Sequence, residues 1–218
     1  MIDRTERRTA LWGLAFIAFF IAAAAIVVAA GEEPSDRAGI VAYYQDNDQF
    51  EIVGMLVGAA CFCLLPFLGG LRSLLRRTEG DHDTMTGVAF GAGLVLTAIL
   101  FALGACVSAI ATAAEWQDNF RVDPDTAQVV DMFGIWAAMY AGTAGGVLAG
   151  AASLVALRTK ALPKWLAIAG FVVAVVGFAG VLTYGAGFIA VVAWILLASV
   201  TMLVRSVRRA ERALPAAA

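Results

Sequence analysis

Six long stretches with no charge in their central turns constrain this chain more than any other feature of its sequence. They lie at about residues 10–30, 52–71, 87–113, 127–157, 163–183 and 186–204. About 20 helical residues cross the hydrocarbon of a bilayer, and none of the stretches alternates polar and apolar residues as a membrane barrel strand does. Charged residues make up only 15% of the chain, whereas a soluble domain has about a quarter. The sequence therefore predicts an all-α, integral membrane bundle of six transmembrane helices, in a single domain of residues 1–218.

Charge alternates between the two ends of these stretches. The basic connections are the N-terminus, 71–86, 158–164 and the tail, 205–218. The acidic connections are 31–51 and 114–131, which hold 11 of the 17 acidic residues but only Arg37 and Arg121 among the 15 basic ones. Short loops rich in Lys and Arg stay in the cytoplasm, so we expect both termini to be cytoplasmic, in a bacterial cytoplasmic membrane. The first stretch is longer than the apolar part of a signal peptide and is predicted to be retained, with cleavage after it as the alternative.

Residue types that carry enzyme chemistry are sparse. His82, the only histidine, lies between Asp81 and Asp83 in a connection predicted to hold arginines in the cytoplasm. One imidazole with flexible carboxylates makes a weak metal site and excludes a bis-histidine haem. Cys61 and Cys63 are two residues apart on a helix, so they point to different faces and cannot pair with each other. We therefore predict no catalytic, cofactor-binding or metal-binding residue, and no cofactor.

Glycines recur at intervals of four residues in three of the stretches. They are Gly54 and Gly58, then Gly87 and Gly91, then Gly142, Gly146 and Gly150. Residues four apart share one face of a helix, and small residues let two membrane helices approach closely. We interpret these glycines as helix-packing positions within the bundle, with a seam between two copies of the chain as the alternative.

The acidic end carries polar groups suited to a binding site. Glu51, Asp131 and Tyr140 are predicted to border a polar cavity that opens at the outer leaflet. Ionisable residues in membrane spans commonly mark a functional site, and Glu51 and Asp131 lie at the outer ends of two spans. The aromatic residues of "AYYQDNDQFE", 42–51, are interpreted instead as interfacial side chains beside a solvated acidic turn.

Two short segments indicate how helices begin and end. Asp123-Pro124-Asp125-Thr126 predicts an N-cap, a proline in the first helical position and an acid in the first turn. The tail carries basic residues about one turn apart, at Arg205, Arg208, Arg209 and Arg212. They share one face if the sixth helix continues, and we expect that face to bind anionic lipid head groups at the cytoplasmic surface. The alternative is a plain stop-transfer cluster, and no nucleic-acid role is expected.

The segment "YYQDNDQFEIVGMLVGAACFCLLPFLGG", which runs into "LRSLLRR", resembles members of an uncharacterised bacterial family of six-span membrane proteins. "LPKWLA", residues 162–167, is similar as well. The resemblance implies the six-helix architecture and no activity. Two hypotheses of function stay open: a non-enzymatic membrane protein with a structural, interaction or stress-related role, or a small transporter or channel subunit that acts as an oligomer. A membrane-embedded enzyme is less favoured, because the sequence offers no nucleophile–base pair or metal cluster.

Overall fold

The structure, a computed structural model, describes residues 2–31, 34, 36–46, 49–79, 84–117, 119–180 and 186–213. Over these ranges the regular structure is entirely α-helical. The helices are α1 (Ile2–Ala30), α2 (Arg37–Asp46), α3 (Phe50–Glu79), α4 (Thr84–Trp116), α5 (Pro124–Thr159), α6 (Lys164–Ala179) and α7 (Ala186–Ala213). The histidine segment discussed above, Asp81 to Asp83, lies outside the described residues.

Among the described residues, five helices are long and apolar enough to cross a membrane: α1, α3, α4, α5 and α7. The chain is thus a helical protein with the composition of a multi-pass membrane protein. α6 is apolar but has only 16 residues, or about 24 Å at 1.5 Å per residue, against about 30 Å of hydrocarbon. It occupies most of the predicted fifth stretch, 163–183, whose last residues lie outside the described ranges. The short helix α2 has no counterpart among the predicted elements.

The five long helices close into a ring. α1 packs against α3 and α7, α3 against α4, α4 against α5, and α5 against α7. α6 lies against α5 and α7, while α2 contacts α4 and α5. Large apolar side chains such as Phe16, Phe67 and Trp194 are fully buried between the helices. Because Phe16 belongs to α1, the first helix is part of the bundle core.

Glycines bring the backbones of α5, α6 and α7 into direct contact. A Cβ atom at Gly177 of α6 would lie 2.5 Å from the carbonyl oxygen of Gly142 in α5. A Cβ at Gly142 would lie 2.9 Å from the backbone nitrogen of Phe188 in α7, and one at Gly146 would lie 3.3 Å from the carbonyl oxygen of Ala174 in α6. Backbone atoms cannot rotate aside, so these positions exclude larger side chains.

The structure divides the seven glycines of the predicted repeats into two sets. Besides Gly142 and Gly146, Gly54 and Gly150 also approach a neighbouring helix: an added Cβ would lie 2.5 Å from Ser108 Oγ and 3.0 Å from Ala174 Cβ, respectively. At Gly58, Gly87 and Gly91 an added Cβ would meet no described heavy atom within 4 Å. Among the described residues, open space therefore lies beside these three glycines where a side chain would begin. A spacing of four places glycines on one face, but the packing of the helix decides whether that face points inward.

The basic end of the bundle is tied together by arginines of α7, which continues as a helix through Ala213. Arg205 donates a hydrogen bond of 2.6 Å to the carbonyl oxygen of Ala161. Arg209 donates one of 2.9 Å to Glu6 of α1, whose side chain is buried. Two of the four tail arginines therefore bind the protein itself, because the predicted basic face turns partly towards the bundle. The Arg212 side chain lies outside the described residues.

Candidate functional site

A cavity of about 310 Å³ opens between α1, α2, α3, α4 and α5 at the acidic end of the bundle. Its wall is mostly aromatic and aliphatic, with one carboxylate and one thiol. The lining residues are Val27, Tyr43, Tyr44, Phe50, Cys106, Val107, Val130, Asp131 and Gly134. We call this cavity the outer pocket. Its volume lies at the lower end of the range for small-molecule sites, about 300–1,000 Å³.

Three aromatic rings form one side of the outer pocket. Tyr43 and Tyr44, at the end of α2, have ring centroids 5.4 Å apart in an edge-to-face arrangement. Phe50, at the start of α3, lies 5.5 Å from Tyr43 and 6.2 Å from Tyr44. Tyr44 and Phe50 are buried. The interpretation of these rings as interfacial side chains missed this, because the ring contacts join the end of α2 to the start of α3 and periodicity does not predict them.

Asp131 supplies the only carboxylate of the outer pocket lining. It lies on α5 and is partly buried, and its carboxylate makes no hydrogen bond or ion pair with any residue that the structure describes. The nearby arginine of α2, Arg37, is paired with Asp125 instead. A carboxylate in such surroundings favours a cationic partner, because removal from water without a compensating interaction is unfavourable.

Hydrogen bonds and an ion pair fix the start of α5, the helix that carries Asp131. Asp123 caps this helix, as its sequence predicts, by accepting hydrogen bonds from the backbone N–H of Thr126 at 3.1 Å and from its hydroxyl at 2.6 Å. These bonds, with a smaller contribution from Arg37, hold the pKa of Asp123 below its usual value of 3.8. Because Arg37 also pairs with Asp125, α2 is fastened to the first turn of α5.

Of the three residues predicted to border an outer cavity, the structure brings only Asp131 to it. The Glu51 carboxyl lies beside that of Glu115, between α3 and α4, and is not part of the pocket lining. Tyr140 is 53% exposed and lies against Trp136, with ring centroids 5.9 Å apart. Nine residues separate Asp131 from Tyr140, or two and a half helical turns, so the two side chains leave α5 in opposite directions.

Within the described ranges, His, Cys, Asp and Glu side chains form no group of three or more suited to a metal ion. Glu79, which neighbours the histidine segment, accepts hydrogen bonds from the backbone N–H groups of Met85 and Thr86. It therefore serves as a cap at the start of α4, where a carboxylate is favoured by the helix dipole.

Comparison of this chain with protein-family models, with curated proteins and with solved structures finds no match. Inference of its function therefore rests on the geometry of the outer pocket and on the distribution of charge between the two ends of the bundle.

Proposed function

We propose that the chain is a six-span membrane protein with both termini in the cytoplasm, which binds a small amphiphilic organic cation in the outer pocket. Its role is binding rather than chemical conversion. The observation that carries this proposal is the Asp131 carboxylate, which faces an aromatic cavity and has no partner among the described residues.

The relation of α1 to α7 supports six crossings. Phe20 of α1 lies against Phe188, near the start of α7, with ring centroids 5.3 Å apart. Glu6, near the start of α1, is bound to Arg209, near the end of α7. The two helices are thus antiparallel neighbours, and a chain that begins and ends on one side of a membrane crosses it an even number of times. This favours α6 as a sixth crossing, with local thinning of the bilayer to match its length.

Charge supports the orientation. The end that carries Glu6 and Arg209 also carries the basic connections, which stay in the cytoplasm. A reporter enzyme that is active only outside should work when fused after residue 40 or 120, and should fail after 80, 160 or 218. Activity at 218 in addition to 40 and 120 would favour five crossings, and activity at 80 would reverse the orientation.

The lining of the outer pocket suits a cation with a compact apolar body. Aromatic faces attract ammonium groups, and aromatic cages are a common means of binding quaternary ammonium ligands. Asp131 adds a full negative charge, which acts more strongly in a partly desolvated cavity than in water. The valines of the pocket lining provide an apolar surface for the rest of the ligand.

The deeper part of the bundle favours binding over transport. Thr97 of α4 donates a 2.8 Å hydrogen bond to the carbonyl oxygen of Gly93, and Ser199 of α7 donates one of 2.8 Å to Ile195. Both hydroxyls are buried and are used within their own helices, as is common in membrane proteins. They therefore do not extend the polar surface of Asp131 towards the opposite side.

Cys106 offers a direct test, because it lines the outer pocket whereas Cys61 and Cys63 are buried elsewhere in the core. Modification of Cys106 by N-ethylmaleimide would be followed by mass spectrometry on protein in nanodiscs. Phenyltrimethylammonium should slow the modification, and benzenesulfonate, an anion of similar size, should not. Asp131→Asn should raise the half-protecting concentration by about tenfold, which corresponds to about 1.4 kcal/mol.

Glu51→Gln is the matched control, because it also neutralises a carboxylate at the acidic end but lies outside the pocket lining. Protection in this variant should equal that of the wild type. Equal protection by the cation and the anion, or equal loss of protection in both variants, would contradict the proposed role of Asp131.

A further inference from the structure

The exposed face of α3 changes from apolar to basic along its length. Phe62 and Leu65 are 66% and 38% exposed. One turn further on lies Gly69, and after it an open groove of about 420 Å³ lined by Gly69, Arg72, Ser73, Arg76 and Arg77. Residues 62, 65, 69, 72 and 76 follow one another at intervals of three or four, so they lie on the same face of the helix. We call this face the α3 stripe.

Glycines leave room along the α3 stripe. An added Cβ at Gly69 would meet no described heavy atom within 4 Å, and the same holds at Gly58, one turn before Phe62. The face is therefore a shallow channel between side chains. It leads from the apolar part of α3 to the arginines at its basic end.

One arginine of the groove is positioned by the neighbouring helix. The guanidinium carbon of Arg72 lies 4.7 Å from the centroid of the Phe90 ring in α4. This cation–π contact fixes the side chain against α4 and reduces the entropy that it would lose on binding an anion. Arg205 and Arg209 of α7, at the same end of the bundle, are bonded to Ala161 and Glu6.

We propose that the α3 stripe binds one anionic phospholipid, with an acyl chain along Phe62, Leu65 and Gly69 and its phosphate beside Arg72, Ser73 and Arg76. Guanidinium groups donate paired hydrogen bonds to phosphate, and the serine hydroxyl adds a further donor. Basic pockets at the cytoplasmic ends of membrane helices are suited to such head groups. The site is independent of the outer pocket and depends on the proposed orientation only for the leaflet from which the lipid comes.

Charge favours a lipid over a second copy of the chain on this face. Two copies related by an axis along the membrane normal would bring the arginines of both grooves together at the same level. Like charges at such a junction repel, whereas a phosphate neutralises them. The small residues at Gly58 and Gly69 are equally able to admit an acyl chain.

Native mass spectrometry of the full chain, titrated with phosphatidylglycerol, phosphatidylcholine or inorganic phosphate, tests the proposal. The wild type should retain one phosphatidylglycerol in preference to phosphatidylcholine. Arg76→Gln should weaken phosphatidylglycerol binding about fivefold, and Arg72→Gln with Arg76→Gln about 25-fold. Arg208→Gln, which removes an exposed arginine of α7 outside the groove, is the matched control and should change binding by less than about twofold.

Gly69→Leu separates a built site from diffuse attraction, because it fills the channel and keeps every charge. It should weaken phosphatidylglycerol binding at least as much as Arg76→Gln does. Unchanged binding in Gly69→Leu, equal losses in Arg76→Gln and Arg208→Gln, or tight binding of inorganic phosphate alone would each overturn the proposal. A dimer that dissociates in Gly69→Leu would assign the face to a second copy and overturn it as well.

Discussion

Replacement of Gly177 by alanine should destabilise the bundle more than the addition of a single methyl group suggests. The new methyl group would lie 2.5 Å from the carbonyl oxygen of Gly142 and 3.0 Å from the Cα atom of Gly146. Both neighbours are backbone atoms of α5, so no change of rotamer relieves the overlap. Carbon and carbonyl oxygen normally approach to about 3.3–3.6 Å, so α5 and α6 must move apart by about 0.8 Å or more.

The cost follows from that displacement. A gap of about 0.5–1 Å forfeits a quarter to a half of the dispersion attraction at a contact, and overpacking of a tight core costs about 1–3 kcal/mol. We expect a cost near the upper end of this overpacking range, because the contact between the two helices is formed by backbone atoms. The higher helix propensity of alanine offsets about 0.5–1 kcal/mol of this destabilisation. The net loss in the free energy of unfolding is therefore about 2 kcal/mol, or about 4–8 °C in Tm for a chain of this length.

Thermal unfolding in detergent, followed by tryptophan fluorescence, measures this loss. Gly91→Ala is the matched control, because an added Cβ there would meet no described atom within 4 Å. Its Tm should stay constant or rise by a few degrees, owing to the helix propensity of alanine. A Tm for Gly177→Ala equal to that of Gly91→Ala would refute the backbone contact between α5 and α6.

Three further outcomes are expected. Arg209→Met should lower the free energy of unfolding by about 1.5–3 kcal/mol, because it removes the ionic partner of buried Glu6; adding Glu6→Leu should restore most of the loss, and a deeper loss in the double variant would contradict the pairing. Trp194→Phe should lower the free energy of unfolding by about 1–2 kcal/mol in the same assay, because the indole N–H donates a hydrogen bond of 3.3 Å to the carbonyl oxygen of Leu166 in α6. An unchanged Tm would show that this hydrogen bond does not stabilise the bundle. The depressed pKa of Asp123 means that its stabilisation of the start of α5 is present above pH 3.8 and is lost as pH falls through the lower, folded-state pKa; amide exchange near Thr126 should show that loss in the wild type and not in Asp123→Ala.

The sequence predicted the features that depend on neighbours along the chain. Five of the six apolar stretches became long helices, because a membrane helix satisfies its backbone hydrogen bonds within itself, whereas the stretch 163–183 gave the 16-residue α6. The cap at Asp123 and the proline after it were also predictable, since both act within one turn. The same local reasoning excluded Cys61 from pairing with Cys63.

Features that depend on how helices rotate against each other were not predictable. Gly91 and Gly146 have the same four-residue spacing to another glycine, yet only Gly146 meets a neighbouring backbone. Tyr140 was assigned to the cavity although its separation from Asp131 turns it away, and this error could have been found by counting residues along α5. The aromatic wall depends on ring contacts between the end of α2 and the start of α3, for which a single sequence offers no periodic signal.

α5 connects the packing of the bundle with the chemistry of the outer pocket. Asp131 faces the pocket near the start of α5, and Gly142 rests on the backbone of α7 about three turns deeper. A partly buried carboxylate with no partner among the described residues persists only where the structure keeps it from turning towards water or another donor. Direct backbone contact provides that restraint, since at Gly142 the nearest atoms of α7 are all backbone atoms and no side chain lies between them to absorb a shift. In the proposed function, the glycines of the α5 junction therefore contribute to cation binding without touching the ligand, because they hold the helix that carries Asp131.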